Sequence, residues 1–205
     1  MPKAYEVIAD DIPRRSAVRA NTRHQWEKDR ARKPEATRAK TGATEHDTGL
    51  EPRDLVFFTK YRVIRAAKDL AAAFGVPVGT ELLERTYRTR YAAETSPFKL
   101  VTSYLVRDMI AANPDLLNES KEPWPGGTQN QLHTVGIELD RIEERFTARP
   151  PTPEEADELE LPPGTSVILL RKTSYDINDR VVDISDITLP GDRTELLFTT
   201  SLERW

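Results

Sequence analysis

The sequence predicts an α+β domain: an antiparallel sheet flanked by short helices, with two duplicated hairpins related by a pseudo-two-fold. Three observations predict it. A stretch around Asp69, DLAAAFGVPVGTELLERTYRTR, recurs around Asp157 as DELELPPGTSVILLRKTSYD. In each, a short helical pattern runs into Pro-x-Gly-Thr, then an apolar-rich strand carrying Arg or Lys, then a turn and a second strand. Gly79 and Gly164 mark the same point, 85 positions apart, too far for a solenoid unit, and two copies make one pseudo-symmetric domain rather than an array. Strands also outnumber helices, and no regular βαβ alternation appears.

Taken in order, residues 1–49 form a basic arm with little to bury. Tyr5, Val7, Ile8 and Ile12 make one short apolar stripe that Pro13 interrupts. From Ser16 to Leu50 the chain is nearly all polar and cannot offset its own ordering entropy. It reads as a partly helical arm that needs a partner or the main body. The folded part, 50–205, opens with LVFFTKYRVI (55–64), whose β-branched and aromatic residues read as a strand. A helix from Ala66 to Phe74 stops at Gly75 and Pro77. Glu81–Tyr91 and Pro97–Leu105 read as strands joined by a turn at Ala92–Ser96, and Val106–Ala112 as a helix ending before Pro114. The prolines and Gly126-Gly127 of NESKEPWPGGTQ forbid regular structure. Gln129–Val135 follows as a short helix, and Ile137–Arg149 as a strand. Pro153 suits the first position of the helix Glu154–Leu159, with Thr152 as its cap. Ser166–Asp176 and Val181–Leu189 are strands joined by the Asn178-Asp179 turn, and Glu195–Thr200 is a last strand.

Composition narrows the function classes. A chain of 205 residues, 38% hydrophobic and 31% charged, has enough length for one real core. No run of about 18 apolar residues exists, so no membrane-spanning helix is expected. The N-terminus lacks an apolar signal core, and the absence of cysteine excludes disulfides, thiolate catalysis and cysteine-ligated zinc. A cytoplasmic location follows as the default. Residues 12–40 hold ten Lys/Arg against three acids, a local charge of +7 in a chain of net charge −4. A basic arm on an acidic body is a mark of nucleic-acid contact; a solvated tail without a partner is the alternative.

Candidate chemistry is sparse. His24, His46 and His133 are scattered without metal-ligand spacing, and neither a Gly-x-Ser-x-Gly elbow nor a P-loop occurs. Pro125–Thr128, PGGT, precedes a helix, so its amides could receive an anion; a plain turn is the alternative. Arg88 and Arg90 share one strand face, where two guanidinium groups suit a phosphate or carboxylate. The competing reading is a solvated face paired with Glu138, Asp140, Glu143 or Glu144. Asp183 and Ser185 share a face of the later hairpin, either as surface pairing or opposite the arginines.

With these segments in view, residues 50–205 resemble the effector-sensing UTRA domain of GntR-superfamily, HutC-type bacterial transcription regulators. The resemblance rests on LAAAFGVPVGTELLERTYRTR, SYL at Ser103–Leu105, PGGT with the VGIEL after its helix, EERFTARPPTPEEADELELPPGTSVILLRKTSYD and VVDISDITLPGDR. It implies a fold similar to chorismate lyase, a homodimer, no cofactor, and a small anionic metabolite as effector. By position, the family's paired arginines fall on Arg88 and Arg90, its small hydroxyl residue on Thr128, and its last-hairpin carboxylate on Asp183, where Glu is more usual. Asn130 stands where an aromatic is often found. KAYEVIADDI resembles the opening of a winged helix, but the chain passes from Pro13-Arg14-Arg15 straight into SAVRANTRHQWEKDRAR, which resembles the linker after the wing. About 50 residues of a base-reading module are therefore expected to be missing, which leaves DNA contact open. The resemblance implies a ligand-responsive regulator and not an enzyme. A chorismate lyase-like enzyme and a DNA-free, heterodimerising partner of full-length regulators are the alternatives.

Overall fold

The computed structural model describes residues 15–203; the Tyr5–Ile12 stripe and KAYEVIADDI lie outside the described residues. Its elements run β1 (Ala17–Ala20), α1 (Arg23–Ala31), α2 (Glu35–Arg38), α3 (Ala43–Thr48), β2 (Leu55–Arg65), α4 (Lys68–Phe74), β3 (Glu81–Tyr91), β4 (Leu100–Val106) and α5 (Arg107–Ile110). Then come α6 (Gly127–Thr134), β5 (Leu139–Arg149), α7 (Pro153–Glu158), β6 (Val167–Asp176), β7 (Val181–Pro190) and β8 (Thr194–Leu197). The α+β class stands.

Six strands form one antiparallel sheet in the order β2-β3-β4-β7-β6-β5. That order maps onto itself when β2, β3 and β4 exchange with β5, β6 and β7, so the expected pseudo-two-fold passes between β4 and β7. Local geometry repeats with it. Val76 N–H donates to Ala71 O and Leu161 N–H to Ala156 O, each at 2.9 Å. Thr80 N–H donates to Pro77 O and Thr165 N–H to Pro162 O, closing turns in which Gly79 (φ +88°) and Gly164 (φ +84°) take the left-handed position. In the second half, α7 starts with the expected cap: Thr152 Oγ1 accepts from Glu155 N–H, and the Glu155 side chain accepts from Thr152 N–H.

Helices cover both faces of the sheet. On one, Leu82, Val106 and Ile184 pack on Ala71 and Phe74 of α4, while Leu100 and Val167 pack on Leu159 beside α7. On the other, Leu83, Leu105 and Val182 pack on Ile110, Leu116 and Leu132. Beyond these residues that second face turns polar. Register places Tyr61, Arg85, Ser103, Ser185, Lys172 and Glu144 in one row across all six strands.

The segment 15–49 is folded onto this polar face. Its β1 pairs in parallel with β8, α1 packs on α6, and Arg19, Arg23, Arg30 and Ala31 are buried. The final strand therefore does not extend the main sheet. Both edges of β7 are already taken by β4 and β6, and the chain turns away at Gly191, where a Cβ would lie 2.5 Å from Ser166 O.

Candidate functional site

Between the arm and the polar face lies a cavity of about 460 Å³. Its floor is the sheet: Phe57 and Thr59 of β2, Tyr87 and Thr89 of β3, Val101 and Ser103 of β4, Ser185 and Ile187 of β7, and Lys172 of β6. One end is the start of α6, with Gly127, Thr128 and Gln131. The roof is the arm, which contributes Arg19, Arg23, His24, Glu27, Arg30 and Arg38. Four of the ten basic residues of 12–40 thus turn inward. With Lys99 and Lys172, six cations line the space against three acids, Glu27, Glu45 and Glu122.

Beside the floor, on the same face of the sheet, Arg85 is fully buried and joins the sheet to α6. It donates to Gln131 Oε1 at 2.6 Å and Ser103 Oγ at 2.8 Å, lies 3.4 Å from Thr128 Oγ1, and keeps its Nε without an acceptor. Asp183, also fully buried, faces Arg85 at 3.7 Å and Lys172 at 3.1 Å, and accepts from Ser103 Oγ at 2.8 Å. Burial opposes its charge, but the Lys172 and Arg85 cations and the Ser103 hydroxyl outweigh that and hold Asp183 below the usual carboxylate range. Glu122 is saturated by donors from Tyr61, Tyr87, Gln131 and the Trp124 amide. Burial together with Glu122 pushes the Tyr61 phenol up to about 12.

The arm is tied down by ion pairs. Arg19 and His24 share Glu144, and Arg23 bonds Asp47. Burial opposes charge on Glu144, yet His24 and Arg19 bring it down to about 2. Burial likewise opposes charge on His24, but Glu144 and Glu27 overcome it and raise the His24 pKa. Arg38 donates to Pro125 O, and Asn130 Nδ2 donates to Ala31 O at 2.7 Å.

Of the residues expected from sequence, the structure brings Thr128, with Pro125 and Gly127 of its turn, and Ser185 to the cavity wall. Arg88 and Arg90 do share a face, but it is the other one. Arg88 pairs with Glu158 at the end of α7 and donates to the carbonyls of Tyr87 and Val101. Arg90 donates to the carbonyls of Tyr91, Ala92 and Glu94 in its own hairpin. The β3 residues that line the cavity are Tyr87 and Thr89, with buried Arg85 on the same face. Leu82 and Leu83 are buried on opposite faces, so the alternation of β3 does not mark the cavity side. Asn130 is consumed in structure, accepting from Trp124 Nε1 at 2.8 Å and bonding the arm. Asp183 is on the cavity face of β7 but is covered by its partners Ser103 and Lys172 and does not line the space. The turn before α6 has its glycine for a steric reason: a Cβ on Gly126 would lie 2.5 Å from Asn130 Cβ and 2.9 Å from Arg38 Cδ. Sequence reasoning missed Arg85, Lys99 and the inward-turned arm cations. The charge of the arm was the available signal, and it left nucleic-acid contact and a solvated tail open without indicating a cavity.

Residues 57–195 match the family described as the UTRA domain. The chain belongs to the UTRA-domain family. An uncharacterized HTH-type transcriptional regulator of Streptomyces coelicolor, SCO4628, is 28% identical over 122 residues, 60% of this UTRA chain and 45% of that protein. The chain therefore spans less than half the length of that relative. Among solved structures, PhnF from Mycobacterium smegmatis aligns with a TM-score of 0.66 and 17% identity, over 92% of this chain and 73% of PhnF. The PhnF effector domain aligns with a TM-score of 0.59 and 21% identity, over 73% of this chain and 90% of that domain. At these identities the solved structures establish the fold alone.

Proposed function

We propose that this UTRA protein is the small-molecule-sensing part of a GntR-family, HutC-type transcription regulator, and that its effector occupies the 460 Å³ cavity. The observation that carries the reading is a cation-rich cavity on the polar face of the sheet, in a chain whose relatives include a transcriptional regulator. One anionic group of the effector would sit at the first turn of α6. There the Thr128 hydroxyl, the helix amides and the positive potential of buried Arg85 converge. Tyr87 and Gln131 would orient the rest of the molecule. The protein would act in the cytoplasm as a homodimer, its partners an anionic metabolite and, through a DNA-reading module, an operator.

Because the arm forms the roof, filling the cavity would bias how the arm sits, which is the two-state element an effector needs. The test is a thermal-shift screen of phosphorylated sugars, acidic amino-acid derivatives and organic acids. A hit is expected to lose its shift in Thr128→Val while Arg88→Ala retains it. A shift kept in Thr128→Val but lost in Arg88→Ala would move the site to the opposite face.

A further inference from the structure

The far end of the same cavity holds cations that the proposed effector contacts leave unused. Lys99 stands one residue before β4 and lines both the main cavity and a small side pocket beside Asp47, Thr48 and Phe98. No hydrogen bond or ion pair joins its ammonium to any described residue. Arg19 and Arg23 border the same space and are only 7% and 5% exposed. Each already engages a carboxylate, Glu144 or Asp47, and each keeps a buried Nε without an acceptor.

We infer that Lys99, Arg19 and Arg23 form a second anion-binding subsite, so the ligand of this cavity carries an anionic group at each end. The inference rests on the proposed first subsite at Thr128. Four residue steps along the chain carry Lys99 to Ser103 beside Arg85, a backbone span of about 13 Å. The wall between them is Tyr87, Val101 and Ile187, which suits a spacer several atoms long. Lys99 is half-buried; taking an ammonium out of water with no carboxylate bonded to it is costly, and a ligand anion would supply that partner. Burial, reinforced by Arg23 and Arg19 against the pull of Asp47 and Glu27, brings Lys99 down to about 8. Lys99 is therefore charged at neutral pH and loses its charge in mild base.

The test titrates the full chain with α,ω-alkanedisulfonates of increasing spacer length and with methanesulfonate, whose charges do not change in this pH range. One disulfonate is expected to bind at least about tenfold more tightly than methanesulfonate, a gain of about 1.4 kcal/mol. Lys99→Met should lose that gain while keeping methanesulfonate affinity, and Lys99→Arg should keep both. From about pH 7 to about pH 9 the gain should fall in the wild type and persist in Lys99→Arg. If methanesulfonate binds but no spacer length adds affinity, the second subsite is refuted and the first stands. If neither compound binds, both are refuted. A gain that survives Lys99→Met overturns the assignment to this cluster.

Discussion

Replacing Asp183 by Asn keeps the side chain's shape and removes its charge. The carboxylate is fully buried, 3.7 Å from Arg85 and 3.1 Å from Lys172. At an effective dielectric of about 20, charges at these separations attract by roughly 4–5 kcal/mol per pair. Desolvation offsets much of that attraction in the intact cluster. In the variant, however, two cations stay on the cavity side of the sheet without an answering charge, a defect that costs about 3–5 kcal/mol. At roughly 2–4 °C per kcal/mol for a chain of this size, Asp183→Asn should lower the melting temperature by about 6–20 °C. Scanning calorimetry reads the temperature, and urea titration reads the free energy. Adding Lys172→Met should recover part of the loss by removing one unanswered cation. Asp183 is held below the usual range, so its contribution is present above about pH 4 and lost as the pH falls. The acid limb of the stability curve should therefore be flatter in the variant. A loss below about 1 kcal/mol, or Lys172→Met adding its full single-mutant cost, would refute the reasoning.

Other expectations follow from geometry. Gly79 and Gly164 have positive φ, and no atom lies within 4 Å of where an added methyl group would stand, so Ala at either should cost only backbone strain, about 1–2 kcal/mol. The two losses should be equal and additive in urea titrations; a twofold difference would break the equivalence of the turns. His24, raised by Glu144 and Glu27, should stabilise arm docking below about pH 6.5 and lose that effect as the pH rises through its folded value. The melting temperature of His24→Gln should accordingly fall furthest below wild type near pH 6 and converge with it in mild base. A constant difference would place the effect of His24 in packing, not charge.

Much of the fold was legible because its signals are local. Pro-x-Gly-Thr after a helix forces the same turn twice, and Thr152-Pro153 with Glu155 writes a helix start into four consecutive residues. Strand bounds from Leu55 onward agree to within a few residues because β-branched and aromatic runs end at glycine or proline. The site was harder to read. Its residues come from segments up to 168 positions apart, Arg19 and Ile187 among them, and no periodicity links them. A sheet covered on both faces gives apolar residues to both, as at Leu82 and Leu83, so the cavity side of Arg85 and Arg88 is set by packing alone. The inward turn of the arm was hidden for a related reason. Its guanidinium groups are polar by type yet buried in fact, and only the carboxylates of Glu144 and Asp47 and the carbonyls of Thr41 and Pro125 explain that.

The roofing of the cavity by residues 19–45 has a practical consequence for how such a protein is cut. A fragment trimmed to the family boundaries, 57–195, would keep every strand of the main sheet except the first two residues of β2. It would also leave the floor of the chamber open to bulk water and discard the lid's four guanidinium groups. Such a piece could be well folded and yet unable to hold the proposed effector, so a negative ligand screen on it would say nothing about the intact chain.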